Sequence, residues 1–286
     1  MKKFLAVVLA ALMLFAFAAC GDKTKTDATA AQVKLVDIQL SSEEYAFGVD
    51  KAQPELLADV NAFIEKILAD GTFETICAKY LGEGNDDKVG VTSAEFDANK
   101  DQLIVATNAE FAPFEYKVGD LYYGIDMEVA ALLAKELGKE LVIDNMDFDA
   151  VCLSVGQHKC DIAIAGLSVN AEREESVTFT VPYYKSAQKI IVKADDTRFD
   201  ACTKVEEVEA VLAALPEGTR IGAQAGTTGE LYIKGDENFG FPGIANAEAV
   251  TYDSAALATT DLVAGRVDFV IVDADPAVAI VAQFNG

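Results

Sequence analysis

The sequence is poor in basic residues, because its 286 residues include 23 lysines and arginines against 47 aspartates and glutamates. A protein that binds a phosphate backbone or an anionic membrane surface needs clustered positive side chains. The composition therefore argues against nucleic acid as a partner. The acidic excess says little about the ligand, because acidic side chains usually form solvated faces.

Histidine and cysteine are also scarce, with one histidine and five cysteines, and tryptophan is missing. The histidine lies in CLSVGQHKC, between Cys152 and Cys160. In an exported protein this spacing permits a disulfide without establishing one, and three potential ligands fall short of the paired spacings of zinc sites. We expect no metal and no cofactor, and we interpret Cys77, Cys152, Cys160 and Cys202 as core or surface residues.

The first twenty residues have the pattern of an export signal. Two lysines precede an apolar run that is too short for a membrane span, and small residues lead to Cys20. The residues FAAC resemble the lipobox of bacterial lipoproteins, with Phe17 in place of the usual leucine. We expect a lipid on Cys20 and a small-polar tether over 21–32; plain secretion and an uncleaved anchor are the alternatives. Removal of residues 1–19 leaves 21 basic and 47 acidic residues, a net charge of −26.

From residue 100 the chain alternates short apolar runs with segments of helical periodicity. The pattern predicts strands at LIVAT, ELVID and CDIAIAGL, and then again at TRIGAQAG, AVTYD and RVDFVIVD. The helix after TRIGAQAG opens with a capping pattern at Thr227 and Glu230. Two α/β lobes follow, over 100–190 and 191–286, and a ligand is expected in the crevice at the carboxyl ends of their strands.

Five motifs carry a resemblance to a known family. They are ATNAEFAPFEY, DNMDFDA, IAGLSVNAEREESVTFTVPYY, GAQAGTTGE and LVAGRVDFVIVD, and they follow one another through nearly all of residues 101–286. In this order they resemble the amino-acid-binding proteins of ABC importers, the polar-amino-acid family of periplasmic binding proteins. The resemblance implies a two-lobed type II fold with a hinge.

The resemblance also fits the chemistry of a free amino acid. Arg173 can donate two hydrogen bonds to a carboxylate, and backbone N–H groups at Thr227 and Thr228 open a helix and favour anions. Asp273 ends a buried strand, and in similar proteins the aspartate at this position binds the α-ammonium. Its implied helpers are the backbone at Gly166 and the hydroxyl of Ser168.

Other positions bear on the ligand side chain. Phe111 and Phe148 match positions that pack around the ligand, whereas Asn108 stands where many relatives have aspartate, and Gly229 where bulkier polar residues are common. With Glu110 on the same loop as Asn108, polar or cationic ligands are favoured over aliphatic ones.

Each of these residues also has a structural alternative. Arg173 could pair with Glu172 or Glu174 on a solvated turn. Asp273 could cap the helix that begins near Pro276. Phe111 and Phe148 could be core residues.

The front segment is too short to fold alone, yet it is rich in apolar residues. Its helix begins at Pro54, is followed by Gly71, and presents one apolar face with Leu56, Leu57, Val60, Phe63, Ile64, Ile67 and Leu68. The segment resembles the C-terminal part of such binding proteins, which indicates a circular permutation. In this interpretation 33–44 returns from the second lobe, 45–82 supplies a hinge strand and helices to the first, and 83–99 is a shapeless linker. A truncated preceding copy and an incorrectly assembled sequence are the alternatives.

These observations lead to a functional hypothesis. We expect a monomeric, lipid-anchored receptor outside the cytoplasmic membrane, or in the periplasm, that closes on an amino acid and delivers it to the permease of an ABC transporter, without catalysis. The hinge strands are expected near Ser186–Val192 and Tyr45–Val49. An enzyme like the dehydratases of cyclic amino-acid precursors is one alternative, with Glu110 as the acid or base. A sensor domain is another, although no transmembrane helix or signalling module follows residue 286.

Overall fold

The computed structural model describes residues 31–82 and 87–286. The predicted export signal, Cys20 and most of the predicted tether lie outside the described residues. The front segment holds β1 (Val33–Val36), β2 (Glu43–Tyr45), β3 (Gly48–Asp50), α1 (Pro54–Ala69) and α2 (Thr72–Leu81).

The next part of the chain alternates strands and helices, as predicted. It holds β4 (Gln102–Thr107), β5 (Glu110–Phe111), β6 (Glu115–Val118), β7 (Leu121–Tyr123), α3 (Ile125–Glu136), β8 (Glu140–Asn145), α4 (Phe148–Gly156), β9 (Ile162–Ala163), α5 (Ala171–Glu174), β10 (Val177–Phe179) and β11 (Tyr184–Ser186). The loop expected after β4 instead contains the three-stranded sheet β5-β6-β7.

The second round follows the predicted order. It holds β12 (Gln188–Lys193), α6 (Val205–Ala213), β13 (Thr219–Gln224), α7 (Thr228–Lys234), β14 (Ala247–Tyr252), α8 (Ala255–Val263), β15 (Phe269–Asp273) and α9 (Ala274–Asn285). Within the described ranges, no helix has both the length and the apolar character needed to cross a membrane.

Two five-stranded sheets organise these elements. The first sheet has the order β10-β3-β9-β4-β8, and the second has the order β1-β12-β15-β13-β14. The strands joined by helical crossovers are parallel, as in β4 with β8 and β13 with β14, because a helix returns the chain to the same end of the sheet. The carboxyl ends of these parallel strands are where polar side chains gather.

The front segment completes both sheets. Strand β1 pairs antiparallel with β12, Val33 opposite Lys193, and β3 pairs antiparallel with β9 and β10. At the far end of the chain, the Asn285 side chain accepts a hydrogen bond from the N–H of Gln32 and donates one to the Val33 carbonyl, each at 2.9 Å. The start of β1 therefore lies against the VAQFNG end of the chain.

Helix α1 packs on the first sheet's side, as predicted. Its buried residues are Leu56, Val60, Phe63, Ile64 and Ile67. The Asn61 side chain accepts a hydrogen bond from the N–H of Val181 at 2.8 Å, and Lys66 pairs with Glu136 of α3. Leu68, expected on the buried face, is exposed, because it lies beyond the edge of a face centred on Val60, Ile64 and Ile67.

The chain passes between the two sheets twice within the described residues. The first passage runs from β1 through β2 to β3, and the second runs from β10 through β11 to β12. Strands β2 and β11 pair antiparallel with each other, Tyr45 opposite Tyr184. This two-stranded ribbon, called the crossing ribbon below, contains Tyr45 and Ser186, at which the two expected hinge strands begin.

The expected shapeless linker is ordered over its described part. The backbone of Val91 exchanges two hydrogen bonds with that of Tyr122, at 2.7 and 2.9 Å, and the Val91 side chain is buried. The N–H of Ala94 donates to the carbonyl of Leu141 at 2.9 Å. The polar composition hid this packing, because it depends on one apolar side chain and backbone groups.

Candidate ligand-binding site

A small cavity lies where the two sheets meet. The residues that line it are Phe111, Phe148, Gly166, Ser168, Arg173, Gln224, Thr227, Thr228 and Asp273. Eight of these nine were proposed from the sequence. The space that a water-sized molecule can occupy is about 10 Å³, so the cavity as it stands is nearly closed.

Arg173 enters the cavity from the turn after β9. The turn is fixed by Asn170, whose side chain accepts a hydrogen bond from the N–H of Arg173 at 2.7 Å. The guanidinium carbon lies 5.0 Å from the centre of the Phe148 ring. The stacking holds the guanidinium plane, so its donors have a fixed direction.

The same guanidinium links a residue that follows a strand of the first sheet to one that follows a strand of the second sheet. Nη1 donates to the Ser168 carbonyl at 2.7 Å, and Nη2 donates to the Gly226 carbonyl at 3.1 Å. No ion pair of Arg173 with Glu172 or Glu174 occurs among the described residues. Two of its five N–H groups are used in these bonds, so three are left for another acceptor.

The predicted capping box at α7 is not formed. Glu230 Oε2 accepts a hydrogen bond from the N–H of Gly226 at 2.7 Å, whereas a capping glutamate would accept from the N–H of the N-cap residue Thr227. The Thr227 hydroxyl does not cap the helix, because it donates to the Gln224 carbonyl at 2.7 Å. The N–H of Thr228, at the first helical position, is one of the groups that helix geometry leaves without a partner.

Gly229 has a packing reason to be glycine. A Cβ at this position would lie 2.7 Å from the carbonyl oxygen of Ile271, inside van der Waals contact. The first turn of α7 therefore lies directly against β15. A larger residue here would push the helix and its cavity residues away from the sheet.

Asp273 ends β15 and is 5 % exposed. Its Oδ1 accepts a hydrogen bond from the Tyr45 hydroxyl at 2.7 Å and one from the Ser186 hydroxyl at 3.4 Å. Both donors belong to the crossing ribbon. Its side chain does not cap α9, so the capping alternative is not what the structure shows. Burial, together with the nearby charge of Glu43, raises the pKa of Asp273 to about 7.

Glu43 is a buried carboxylate behind the cavity that the sequence did not suggest. Its oxygens accept hydrogen bonds from the hydroxyls of Ser168 and Ser41, each at 2.6 Å, and from the Gln188 amide at 3.0 Å. Because the Ser168 hydroxyl donates its hydrogen bond to Glu43, the lone pairs of its oxygen remain free to accept a hydrogen bond from a ligand in the cavity. The strand Glu43–Tyr45 has only three residues, which is too short for its sequence to predict which side chains are buried.

Gly166 needs the conformation that glycine allows. Its φ is +52°, and a Cβ there would lie 2.9 Å from the Phe111 ring. Its N–H donates a hydrogen bond to the Asp126 carboxylate at 2.8 Å, which fixes the backbone just after β9. Gly166 lies in the lining of the cavity, where glycine avoids a contact with the Phe111 ring.

Asn108 lies beside the lining and contacts it through Gln224. Gln224 Nε2 donates to Asn108 Oδ1 at 2.8 Å and to the Asp253 carbonyl at 2.9 Å, and Asn108 Nδ2 donates to the Met146 carbonyl at 2.8 Å. Gln224 was missed because it sits within an apolar strand motif. Glu110, in contrast, is exposed and outside the lining.

Two buried acids lie below the cavity floor. Asp126 accepts hydrogen bonds from the Tyr183 hydroxyl at 2.8 and 2.9 Å. Glu115 is fully buried, and neither of its oxygens has a hydrogen-bond partner among the described residues. Burial and the charge of Asp126 raise the pKa of Glu115 well above its usual range, and burial raises that of Asp126 to about 6.

Metal and disulfide chemistry find no support at this site. The described residues contain no group of histidine, cysteine and carboxylate side chains that could hold a metal ion. Cys77, Cys152, Cys160 and Cys202 are free thiols. His158 Nδ1 lies 2.7 Å from Asp50 Oδ2, which explains the histidine in CLSVGQHKC without a metal.

The fold is similar to that of solved amino-acid-binding proteins. The chain belongs to the bacterial extracellular solute-binding proteins, family 3, whose model matches residues 103–259. The predicted type II α/β fold is therefore confirmed.

Individual relatives agree with this assignment. The chain is 34% identical over 106 residues to the arginine-binding extracellular protein ArtP of Bacillus subtilis, covering 37% of this chain and 42% of that protein. It is 30% identical over 174 residues to the ABC transporter arginine-binding protein 1 of Escherichia coli, covering 60% and 63%. The match thus spans less than two thirds of the length of these relatives.

One similar protein is an enzyme. The cyclohexadienyl dehydratase of Pseudomonas aeruginosa is 24% identical over 174 residues, covering 60% of this chain and 59% of the enzyme. Among solved structures, an ancestral arginine-binding protein bound to glutamine has a TM-score of 0.54 at 31% identity, covering 64% of this chain and 74% of that one.

Proposed function

We propose that this protein is an extracytoplasmic receptor that captures a free amino acid and delivers it to the permease of an ABC importer. The observation that carries the proposal is the pairing of one donor fork, Arg173, with one acidic acceptor, Asp273, in a single small cavity. A free amino acid has the complementary pair, a carboxylate and an ammonium, on one carbon.

The carboxylate end is formed by Arg173 and the start of α7. The three unused N–H groups of Arg173 and the backbone N–H of Thr228 are donors, and a charged donor makes hydrogen bonds roughly twice as strong as neutral ones do. Because Arg173 already spans Ser168 and Gly226, its position requires no new ordering when the ligand enters.

The ammonium end is formed by Asp273 and Ser168. Asp273 supplies a buried carboxylate, and Ser168 supplies oxygen lone pairs because its proton is directed to Glu43. Neither acid has a basic partner within 4.0 Å in the described part of the chain. An ammonium ion would provide the missing positive charge.

Closure is proposed to occur about the crossing ribbon. Its two strands lie on the described connections between the sheets, and the hydroxyl of Tyr45 in the ribbon donates a hydrogen bond to Asp273. Residues from both sheets line the cavity, so a ligand that contacts Arg173, Thr228 and Asp273 stabilises the closed arrangement.

The membrane partner and the anchor complete the proposal. An export signal with a lipidated Cys20 would hold the receptor at the outer face of the cytoplasmic membrane, where a permease is within reach. We propose that the receptor acts as a monomer. Mass spectrometry of the membrane-extracted protein tests the anchor, because two or more acyl chains on Cys20 add a defined mass.

The experiment that tests the function is a ligand screen. The melting temperature of the purified protein is measured with each common amino acid and with a cyclohexadienyl acid. A ligand at a hundred times its dissociation constant adds about 2.7 kcal/mol to the free energy of unfolding, so a true ligand raises the melting temperature clearly. Turnover of the cyclic acid, with no amino acid raising the melting temperature, would replace the receptor by the dehydratase alternative.

A further inference from the structure

The side-chain amide of Gln224, a lining residue of the cavity, has a fixed orientation. Both hydrogens of Nε2 are used, one toward the Asp253 carbonyl and one toward Asn108 Oδ1. A backbone carbonyl can only accept, so the amide group cannot be turned over without placing Oε1 against the oxygen of Asp253. The orientation of the Gln224 side chain is therefore determined.

The Asn108 amide is fixed in the same way. Its Nδ2 donates to the Met146 carbonyl at 2.8 Å, which leaves Oδ1 to accept from Gln224. The two amides thus form a chain that is anchored by a backbone carbonyl at each end. Within this chain, one atom is left over: no described group donates a hydrogen bond to Gln224 Oε1.

The charges around the cavity are few. Arg173 and Asp273 are the two charged residues of the lining, and the other seven are neutral. Asp273 ends β15 and is hydrogen-bonded to Tyr45 of the crossing ribbon, whereas Gln224 ends the neighbouring strand β13 and is hydrogen-bonded to the carbonyl of Asp253, which follows β14. Glu110, the acid expected on the first loop, is exposed and outside the lining.

We propose that the site selects amino acids with an uncharged side chain that carries an N–H or O–H donor, an amide or a hydroxyl, and that Gln224 Oε1 is the acceptor that reads this donor. The inference rests on the proposed function, because it takes Arg173 and Asp273 as the partners of the α-carboxylate and α-ammonium.

Cationic side chains are disfavoured by the charge balance. Once the α-ammonium has taken Asp273, the lining holds no second carboxylate for a guanidinium or a side-chain ammonium. Burying such a cation beside neutral amides costs more than a neutral hydrogen bond returns. Aliphatic side chains are disfavoured for the opposite reason, because they leave Oε1 without a donor in a cavity from which water has been expelled.

The decisive measurement is isothermal titration calorimetry of the purified protein with matched ligands. Glutamine, methionine and lysine have side chains of similar length that are neutral with a donor, neutral without one, and cationic; asparagine, serine and arginine extend the series. We expect the best amide or hydroxyl ligand to bind at least tenfold tighter than methionine, lysine and arginine. Tightest binding of lysine or arginine, or of methionine, would overturn the inference and leave the receptor function standing. Binding of none of them, together with no rise in melting temperature from any other amino acid, would overturn the function itself.

A variant pair tests the role of Gln224. Gln224→Met keeps the size of the side chain and removes Oε1, so the ratio of glutamine to methionine affinity should fall at least tenfold. Gln283→Met, on the exposed face of α9, makes the same chemical change away from the cavity and should leave the ratio unchanged. The ratio compares two ligands on one protein, so a loss of stability in the variant does not alter it. An unchanged ratio in Gln224→Met would show that Gln224 does not read the side chain; should this variant fail to fold, the ligand series on the unsubstituted protein decides alone.

Discussion

Tyr45 and Asp273 are 228 positions apart in the chain, and the hydroxyl of Tyr45 donates a hydrogen bond to Oδ1 of Asp273 at 2.7 Å. The bond connects the crossing ribbon with the residue proposed to hold the ligand ammonium. A change in the charge of Asp273 therefore changes the strength of a hydrogen bond to the crossing ribbon, which connects the two sheets.

Replacement of Asp273 by asparagine tests the ammonium site. Asp273→Asn keeps the shape of the side chain and removes its charge, so we expect at least a tenfold loss of affinity for the best amino acid ligand. A deaminated analogue of that ligand should bind the variant and the unsubstituted protein about equally. Equal losses for both ligands in calorimetry would mean that Asp273 acts on the structure and not on the ammonium.

The affinity should depend on pH through the same residue. Without ligand, burial and Glu43 raise the pKa of Asp273 to about 7, whereas an ammonium ion requires the ionised form. As the pH falls below about 7, binding must first remove the proton, so the affinity should fall, approaching tenfold per pH unit. Calorimetry at pH 8, 7, 6 and 5 measures this. A flat profile in the unsubstituted protein would contradict the assignment, and Asp273→Asn should already be flat.

The donor fork is tested by Arg173→Lys. Lysine keeps the charge but cannot hold Ser168 and Gly226 while it also donates twice to a carboxylate. We expect at least a tenfold loss of affinity, about 1.4 kcal/mol, with a smaller change in the melting temperature of the ligand-free protein. Arg220→Lys, at an exposed position of β13, is the matched control. Unchanged binding by Arg173→Lys would remove Arg173 from the site.

Glu115 and Asp126 predict a pH dependence of stability. Burial raises the pKa of Glu115 in the folded protein, so the folded protein keeps a proton that the unfolded chain releases above about pH 4.3. The free energy of unfolding therefore falls as the pH rises from about 4.3 toward the folded pKa. Glu115→Gln is neutral at any pH, so its melting temperature should fall less between pH 5 and pH 8. Glu237→Gln removes an exposed acid and serves as the control. Parallel curves for Glu115→Gln and the unsubstituted protein would show that Glu115 is not protonated.

We propose that residues 33–82 form the displaced C-terminal part of a circularly permuted solute-binding protein. The segment supplies one strand to each sheet, and the family match begins only after it, at residue 103. Moving residues 33–82 behind Gly286 should therefore give a protein that folds and binds the same amino acid with an affinity within about threefold, since permutation is tolerated where ends lie close. Deletion of the same residues should abolish binding. A deleted form that melts cooperatively and binds equally well would show that the segment is dispensable.

Much of this site could be predicted because its residues stand at strand and helix ends. Arg173, Thr228 and Asp273 each follow a buried strand or open a helix, and the carboxyl ends of parallel strands converge whatever the details of packing. The motif order then supplied their roles as hypotheses.

The missed residues depend on contacts between distant segments. Glu43 becomes a cavity neighbour only because β2 pairs with β11, and three residues of alternating burial carry no local signal for that pairing. In the sequence, Gln224 looks like one more residue of a strand. Only the structure shows that the carbonyl of Asp253 and the amide of Asn108 fix the orientation of its side chain. Such information is in the tertiary arrangement, since neither residue type nor spacing specifies it.

The pairing of β1 with β12 has a consequence for how the chain folds. The N–H of Gln188 donates to the hydroxyl of Ser41, which lies 147 positions earlier, and the apolar face of α1 is covered by elements that leave the ribosome after it. Closing loops of this length is slow, and a chain with uncovered apolar surface is prone to aggregate. Helix α1 is synthesised before most of its partners, so it is the stretch that a holding chaperone would be expected to protect during synthesis.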